Sequence, residues 1–282
     1  MNANYKLIVF DLDGTLAESK AVVPPEISNL LCQLLVVKKV AVISGGSFTQ
    51  FERQLLKHIS CKDEMFENLY LLPTSGGDLY KFEEGEWHLV ASHELGSEDK
   101  KKIKEGIVKG LSSLSFALPE KTYGEQVEDR DSQITFSALG QQAPVEIKKA
   151  WDPDHSKRAE LASRIKEYLP EFEVKVGGST SVDITKRGLN KAWAVGELMT
   201  RLGFDKHEVL YVGDDLFPGG NDYVVTSLGI STHSVAGPVD SASIIAELLC
   251  NNSVCPQLKK SGLGASFELL SKMSRSRLRL LP

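Results

Sequence analysis

The stretch YKLIVFDLDGTL, Tyr5 to Leu16, constrains the fold more than any other part of the chain. Its first half is a short apolar run rich in β-forming residues. Such a run reads as a strand buried on both faces of a parallel sheet. It ends abruptly in two aspartates, Asp11 and Asp13, with a glycine and a threonine next. Burying one lone carboxylate is costly, and burying two side by side needs a cation or a proton to offset their repulsion. In an open α/β sheet, the loop at a strand's carboxyl end is where ligands bind.

The pattern around this strand repeats. Pro24 and Pro25 open a helical stretch, EISNLLCQLLVV, with apolar residues at helical spacing. A second apolar strand follows, Lys39 to Gly46, then a helix FTQFERQLLKHI that Ser47 can cap, then a third strand from Leu69 to Pro73. Strand, helix, strand, helix, strand predicts a Rossmann-like, doubly wound parallel α/β core. After about Gly77 the rhythm changes. A hairpin (DLYKF, EEGE, WHLVA), a charged helix, the strand DSQITFSAL, a second amphipathic helix and the strands EVKVGG and STSVDITK read as an inserted α+β unit. The expected organisation is core over 1–79, insert over 80–187 and core again over 188–282. The second core part opens with the helix NKAWAVGELMTRLG and the strand EVLYVGDD.

Four segments carry the chemistry. DLDGT supplies Asp11 and Asp13. YVGDDLFPGGND, after a late core strand, supplies Asp214, Asp215, Asn221 and Asp222. Several oxygen ligands with no soft ligands select a hard cation, and magnesium is the usual one beside phosphate. VISGGS ends a strand with Ser44 and Gly45, a hydroxyl and backbone N–H groups suited to phosphoryl oxygens. GLNK places Lys191 at a helix start, where a cation offsets charge on a nucleophile and a phosphoryl group. Taken singly, these segments read as turns, a calcium loop or a surface lysine. Their shared setting, after strands or before helices of one core, argues for a joint site.

Composition excludes some classes. A 282-residue chain with 41% hydrophobic and 25% charged residues is ordinary for a soluble globular protein. A net charge of -5 argues against a general nucleic-acid binder. The most apolar stretch, LLCQLLVVKKVAVI, is interrupted by Gln33, Lys38 and Lys39 and is too short to span a bilayer, so no membrane partner is expected. No signal peptide is evident, and cytoplasm is the expected location. The four cysteines show no CxxC pattern. Cys250 and Cys255 read as two free thiols near a helix end, with a disulfide or a metal pair as alternatives. The final SRSRLRLLP reads as a solvated basic tail.

These motifs, in this order, resemble the haloacid dehalogenase superfamily. The insert's position resembles its C2 cap class, found in sugar phosphatases and eukaryotic-type phosphomannomutases. GDDLFPGGND and VGGSTSVDITKRGLNK are similar to phosphomannomutase segments, and EDRDSQITFSALGQ is similar to the cap strand bearing substrate-phosphate arginines. The resemblance implies Asp11 as nucleophile and Asp13 as acid and base. It implies magnesium at the Asp11 carboxylate, the Asp13 backbone carbonyl and Asp214, with Asp215, Asn221 and Asp222 orienting or completing its shell. Ser44, Gly45 and Lys191 would hold the phosphoryl group, and Arg130, Gln141, Ser181 and Asp183 would contact the substrate. Gln141, however, stands where that family has an arginine, and glutamine cannot supply a bidentate cationic clamp. This departure favours a phosphatase acting on a phosphorylated sugar or similar small phosphate ester, with a phosphomannomutase-type phosphohexomutase as the alternative. A homodimer formed through the cap is a further option that the resemblance implies.

Overall fold

The structure is a computed structural model, and residues 5–251 are described. The expectations for Cys255 and for the basic tail lie outside the described residues. In chain order the first half contains β1 (Leu7–Asp11), α1 (Pro25–Val37), β2 (Lys39–Ile43), α2 (Phe48–Gln54), α3 (Asp63–Phe66), β3 (Leu69–Leu72), β4 (Asp78–Glu83) and β5 (Glu86–Ser92). Next come α4 (Ser97–Leu111), β6 (Val127–Asp129), β7 (Gln133–Ser137), α5 (Val145–Trp151), α6 (Ser156–Tyr168), β8 (Phe172–Val176) and β9 (Ser181–Lys186). The chain then closes with α7 (Lys191–Leu202), β10 (Val209–Gly213), β11 (Ser231–Ser234) and α8 (Pro238–Asn251).

The core is a seven-stranded sheet in the order β11-β10-β1-β2-β3-β4-β5. Pairings from β11 to β3 are parallel, and β4 and β5 join antiparallel. β1 and β10 are buried along their whole length, which accounts for their unbroken apolar runs. Side chains alternate between faces. Ile8, Phe10, Val40, Val42, Leu210 and Val212 meet the apolar stripes of α1 and α8 on one face. Leu7, Val9, Ala41, Ile43, Val209 and Tyr211 meet Ala194, Val195 and Leu198 of α7 on the other. Helices therefore cover both faces of the α/β core, as expected.

Two expectations change. The hairpin, expected with the insert, instead extends the core sheet, because β4 pairs with β3. Its two-residue turn, Glu84 and Gly85, has φ of 53° and 85°, the left-handed geometry that closes a tight hairpin. Phe82 and Trp87 then pack on Phe66, which holds the hairpin to the core. The helix expected over FTQFERQLLKHI stops at Gln54 and continues as a 3₁₀ turn, Leu56–His58. The backbone carbonyl of Gln54 is taken by the Val23 amide at 2.8 Å, so it is lost to the helical ladder.

Residues from α4 to β9 build a second, four-stranded antiparallel sheet in the order β6-β7-β9-β8. Its strands alternate strictly. Ile134, Phe136, Val182, Ile184, Phe172 and Val174 pack under α4 and α6. Thr135, Ser181, Asp183, Thr185 and Lys175 fall on the opposite face. That polar face looks toward the carboxyl ends of the core strands, where Thr185, Ser181, Asp183 and Lys175 line a cavity with Asp11 and Ser44.

A disulfide joins Cys32 of α1 to Cys61, which precedes α3, with Cα atoms 5.2 Å apart. Sequence spacing held no sign of it, because the pair is 29 residues apart and matches no short motif. No helix among the described residues is long and apolar enough to cross a membrane.

Candidate active site

Strand register alone gathers the acidic groups. Asp11 pairs with Ile43, so the residue after Ile43, Ser44, stands beside the loop that follows Asp11. Phe10 pairs with Val212, so Asp214 emerges from β10 next to the loop that leaves β1. That loop can turn there because Gly14 takes a φ of +87°. Thr15 Oγ1 donates to Asp214 Oδ1 at 3.2 Å and ties the two loops together. Carboxylate oxygens of Asp11, Asp214 and Asp222 all lie within 4.8 Å of one another.

Lys191, at the first turn of α7, answers this charge. Its ammonium donates to Asp11 Oδ1 at 2.6 Å, Asp222 Oδ1 at 2.7 Å and Asn221 Oδ1 at 2.8 Å, which uses all three of its N–H groups. Burial alone would lower the Lys191 pKa, but Asp11 and Asp222 outweigh it and hold the group raised. Burial raises Asp11 well above the usual carboxylate range, with Lys191 opposing. Burial, then Asp215 and Asp222, push Asp214 up to about 6. Asp222 is fully buried and accepts three hydrogen bonds: from Lys191, from the Tyr211 hydroxyl and from the Asp215 amide at 3.2 Å. It therefore orients Lys191. Asp215 adds negative charge beside Asp214 and offers its backbone amide to Asp222.

Asp13 points elsewhere. Its Oδ1 accepts from the Lys20 amide at 2.6 Å and from Gln54 Nε2 at 3.2 Å, and its Oδ2 has a longer contact from Ser44 Oγ at 3.4 Å. The Asp13 carboxylate thus stands outside the cluster of Asp11, Asp214 and Asp222. Ser44 Oγ also accepts from the Gly46 amide at 3.1 Å, which fixes the loop after β2. The Gly45 carbonyl receives Arg130 and, at 3.1 Å, Gln133 Nε2, so this glycine is also where the second sheet docks on the core.

The residues expected to contact substrate share that cavity: Arg130, Gln141, Ser181 and Asp183 line it together with Asp11, Asp13, Ser44, Gly45, Lys191 and Asn221. Arg130 pairs with Glu128, and its Nε is buried without a partner. Asp183 accepts from Thr135 Oγ1 at 2.8 Å; burial raises its pKa, against the pull of Arg130. The amide nitrogen of Gln141 is likewise buried and unpartnered.

Sequence reasoning missed several groups here. Gln54 and Tyr211 are buried under the two aspartate loops. A glutamine on the buried face of α2, three residues after Phe51, was the available signal for Gln54. Lys148 of α5 is also buried, and its Nζ donates to the Gln141 carbonyl at 2.9 Å. Burial, then the neighbouring Lys20, lower its pKa to about 8. No ion pair is present for Lys148 or Lys20 among the described residues. Lys20, Arg130 and Gln141 line the cavity, with Arg130 Nε and Gln141 Nε2 unpartnered, while Lys148 lies outside its lining and reaches it through the Gln141 carbonyl and its closeness to Lys20. Such a set of groups suits an anion.

Comparison with known proteins follows the same lines. The family model for eukaryotic phosphomannomutase matches residues 27–251. Phosphomannomutase 1 of Dictyostelium discoideum is 29% identical over 255 residues, spanning 86% of this chain and 96% of that protein. The phosphomannomutase of Spinacia oleracea is 26% identical over 250 residues, spanning 86% and 95%. Among solved structures, the IMP-bound IMP-nucleotidase of Plasmodium falciparum superimposes with a TM-score of 0.64 at 17% identity, over 88% of this chain and 68% of that one, a likeness of fold.

Proposed function

Because the chain belongs to the eukaryotic phosphomannomutase family, within the haloacid dehalogenase superfamily of phosphoryl-transfer enzymes, we propose that it is a phosphohexomutase. It would move a phosphoryl group between positions of a hexose phosphate through an aspartyl phosphate on Asp11. One observation carries this reading beyond the family match: Lys148 and Lys20 stand beside Gln141. A mutase must grip the phosphate that is not reacting, and Gln141 alone speaks for a hydrolase. Lys20, which lines the cavity with Gln141, would supply the missing positive charge there, with Lys148 adding to it from behind the lining, and the comparisons favour the mutase over the hydrolase for the same chain.

The carboxylates of Asp11 and Asp214, with Asp222 in reach, form an all-oxygen set that fits magnesium, and the Asp13 backbone carbonyl is the expected further ligand. When bound, that ion would offset the charge of the transferring phosphoryl group. Asp11 attacks phosphorus, its Oδ–P bond forming as the P–O bond to the donor sugar breaks. Asp13 hands its proton to the leaving oxygen. In the second step it takes the proton of the acceptor hydroxyl as that oxygen attacks the aspartyl phosphate. Lys191 steadies the negative charge on Asp11, and Ser44 and Gly45, which line the cavity, would border the phosphoryl oxygens. The polar face of the second sheet covers the cavity and excludes competing water.

The test is incubation of mannose 1-phosphate with the protein, magnesium and a hexose bisphosphate activator, scoring mannose 6-phosphate and inorganic phosphate together. Isomerised sugar in excess of free phosphate is the expected result. Phosphate release without isomerisation would restore the hydrolase.

A further inference from the structure

Gln54 is a buried side chain in contact with Asp13 to which the mechanism above gives no part. It closes α2 at 1% exposure, between the core residues Phe51 and Leu55. Its Nε2 donates to Asp13 Oδ1 at 3.2 Å and to the Ala21 carbonyl at 3.0 Å, while its backbone carbonyl receives the Val23 amide at 2.8 Å. Three bonds therefore run from one residue to the loop that begins at Asp13. A buried primary amide must find partners to offset its lost hydration, so a hydrocarbon would fill this space more simply if filling were the only task.

The two oxygens of Asp13 are unequal. Oδ1 is held by Gln54 and by the Lys20 amide, whereas Oδ2 has only the 3.4 Å contact from Ser44 among the described residues. We propose that Gln54 is a positioning residue for phosphoryl transfer: by fixing Oδ1 it aims Oδ2 as the atom that exchanges the proton with the sugar oxygen. This rests on the aspartyl-phosphate reading of the site. In the forward step the sugar P–O bond breaks, the Asp11 Oδ–P bond forms, and the proton on Asp13 Oδ2 passes to the departing alkoxide. Loss of the amide leaves Oδ1 tethered by the Lys20 amide alone, so the carboxylate can pivot about that one bond, and a misplacement of about 1 Å can lower a rate about 100-fold.

The experiment compares the wild type with Gln54→Met, which keeps the bulk, and Gln54→Asn, which keeps the amide on a shorter arm. Each is assayed in the pre-steady state, with donor in excess over protein, for two phosphoryl donors. A hexose 6-phosphate has an alkoxide leaving group that needs the proton. p-Nitrophenyl phosphate has a phenolate that leaves without one. Gln54→Met is expected to slow the hexose donor about 10- to 100-fold with little change in KM. Its p-nitrophenolate burst should stay within about twofold, and Gln54→Asn should recover part of the lost rate. Equal losses with both donors, or no loss with the hexose, would overturn the proposal. Thermal unfolding of both variants shows whether an equal loss reflects a damaged fold, and Gln54→Asn then decides the case by the same donor ratio. A wild type that gives no p-nitrophenolate burst overturns the aspartyl-phosphate reading and the positioning role with it.

Discussion

At Gly14 a methyl group would sit 2.3 Å from Asp214 Oδ2, on a backbone turned to φ +87°. Gly14→Ala is therefore expected to weaken magnesium binding by an order of magnitude or more, measured by titration calorimetry, without unfolding the core. Asp214, pushed up to about 6, must lose its proton before it can hold a cation. Magnesium affinity should thus fall as pH drops through about 6, and calorimetry in buffers of different ionisation heat should detect about half a proton released per ion at about pH 6, rising toward about one at about pH 5. Lys148 acts in the opposite sense. Its folded value, about 8, lies below its ordinary 10.5, so the folded protein binds fewer protons between these limits and gains stability as pH rises through them. Replacing it by Met at pH 7 should raise the melting temperature by about 2–4 °C and weaken hexose bisphosphate binding about 10-fold or more. Sequence disclosed the acidic strand ends because carboxylates after apolar strands are conspicuous. It did not disclose Gln54, Lys148 or Lys20, whose meaning depends on neighbours far away in the chain.

Among the elements, α1 bears both an apolar stripe and a covalent tie. In the chain-entropy picture a bridge closing a loop the length of Cys32–Cys61 contributes about 3–4 kcal/mol, so Cys32→Ser should lower denaturant stability by about that amount under non-reducing conditions. Adding a reductant to the wild type should reproduce the drop. Strands β1, β2, β3 and β10 were legible because burial on both faces demands continuous apolar runs. The early end of α2 was not, because the Gln54 carbonyl answers to Val23, which lies before α1 and β2 in the chain. The hairpin β4–β5 was legible as a hairpin, but only pairing with β3 shows which sheet owns it.

On the scale of the whole molecule, the candidate site sits in a seam between two sheets, and Arg130 crosses it, bonding Glu128 on its own side and the Gly45 carbonyl on the other. Arg130→Ala should loosen that seam and admit water to the aspartyl phosphate. The ratio of free phosphate to isomerised sugar would then rise about 10-fold or more, a change that a simple fall in affinity would not produce. The alternation along β9 has a consequence for how such a protein can change over time. On the proposed function, substitutions at Ser181, Asp183 and Thr185, which line the cavity, would retune which sugar phosphate is accepted. Deleting a single residue from that strand would instead turn Val182 and Ile184 outward over the reaction and bury an acid among the helices. That face can be respelled one residue at a time, within the hydrogen bonds that Asp183 and Thr185 make, but it cannot be shifted by one.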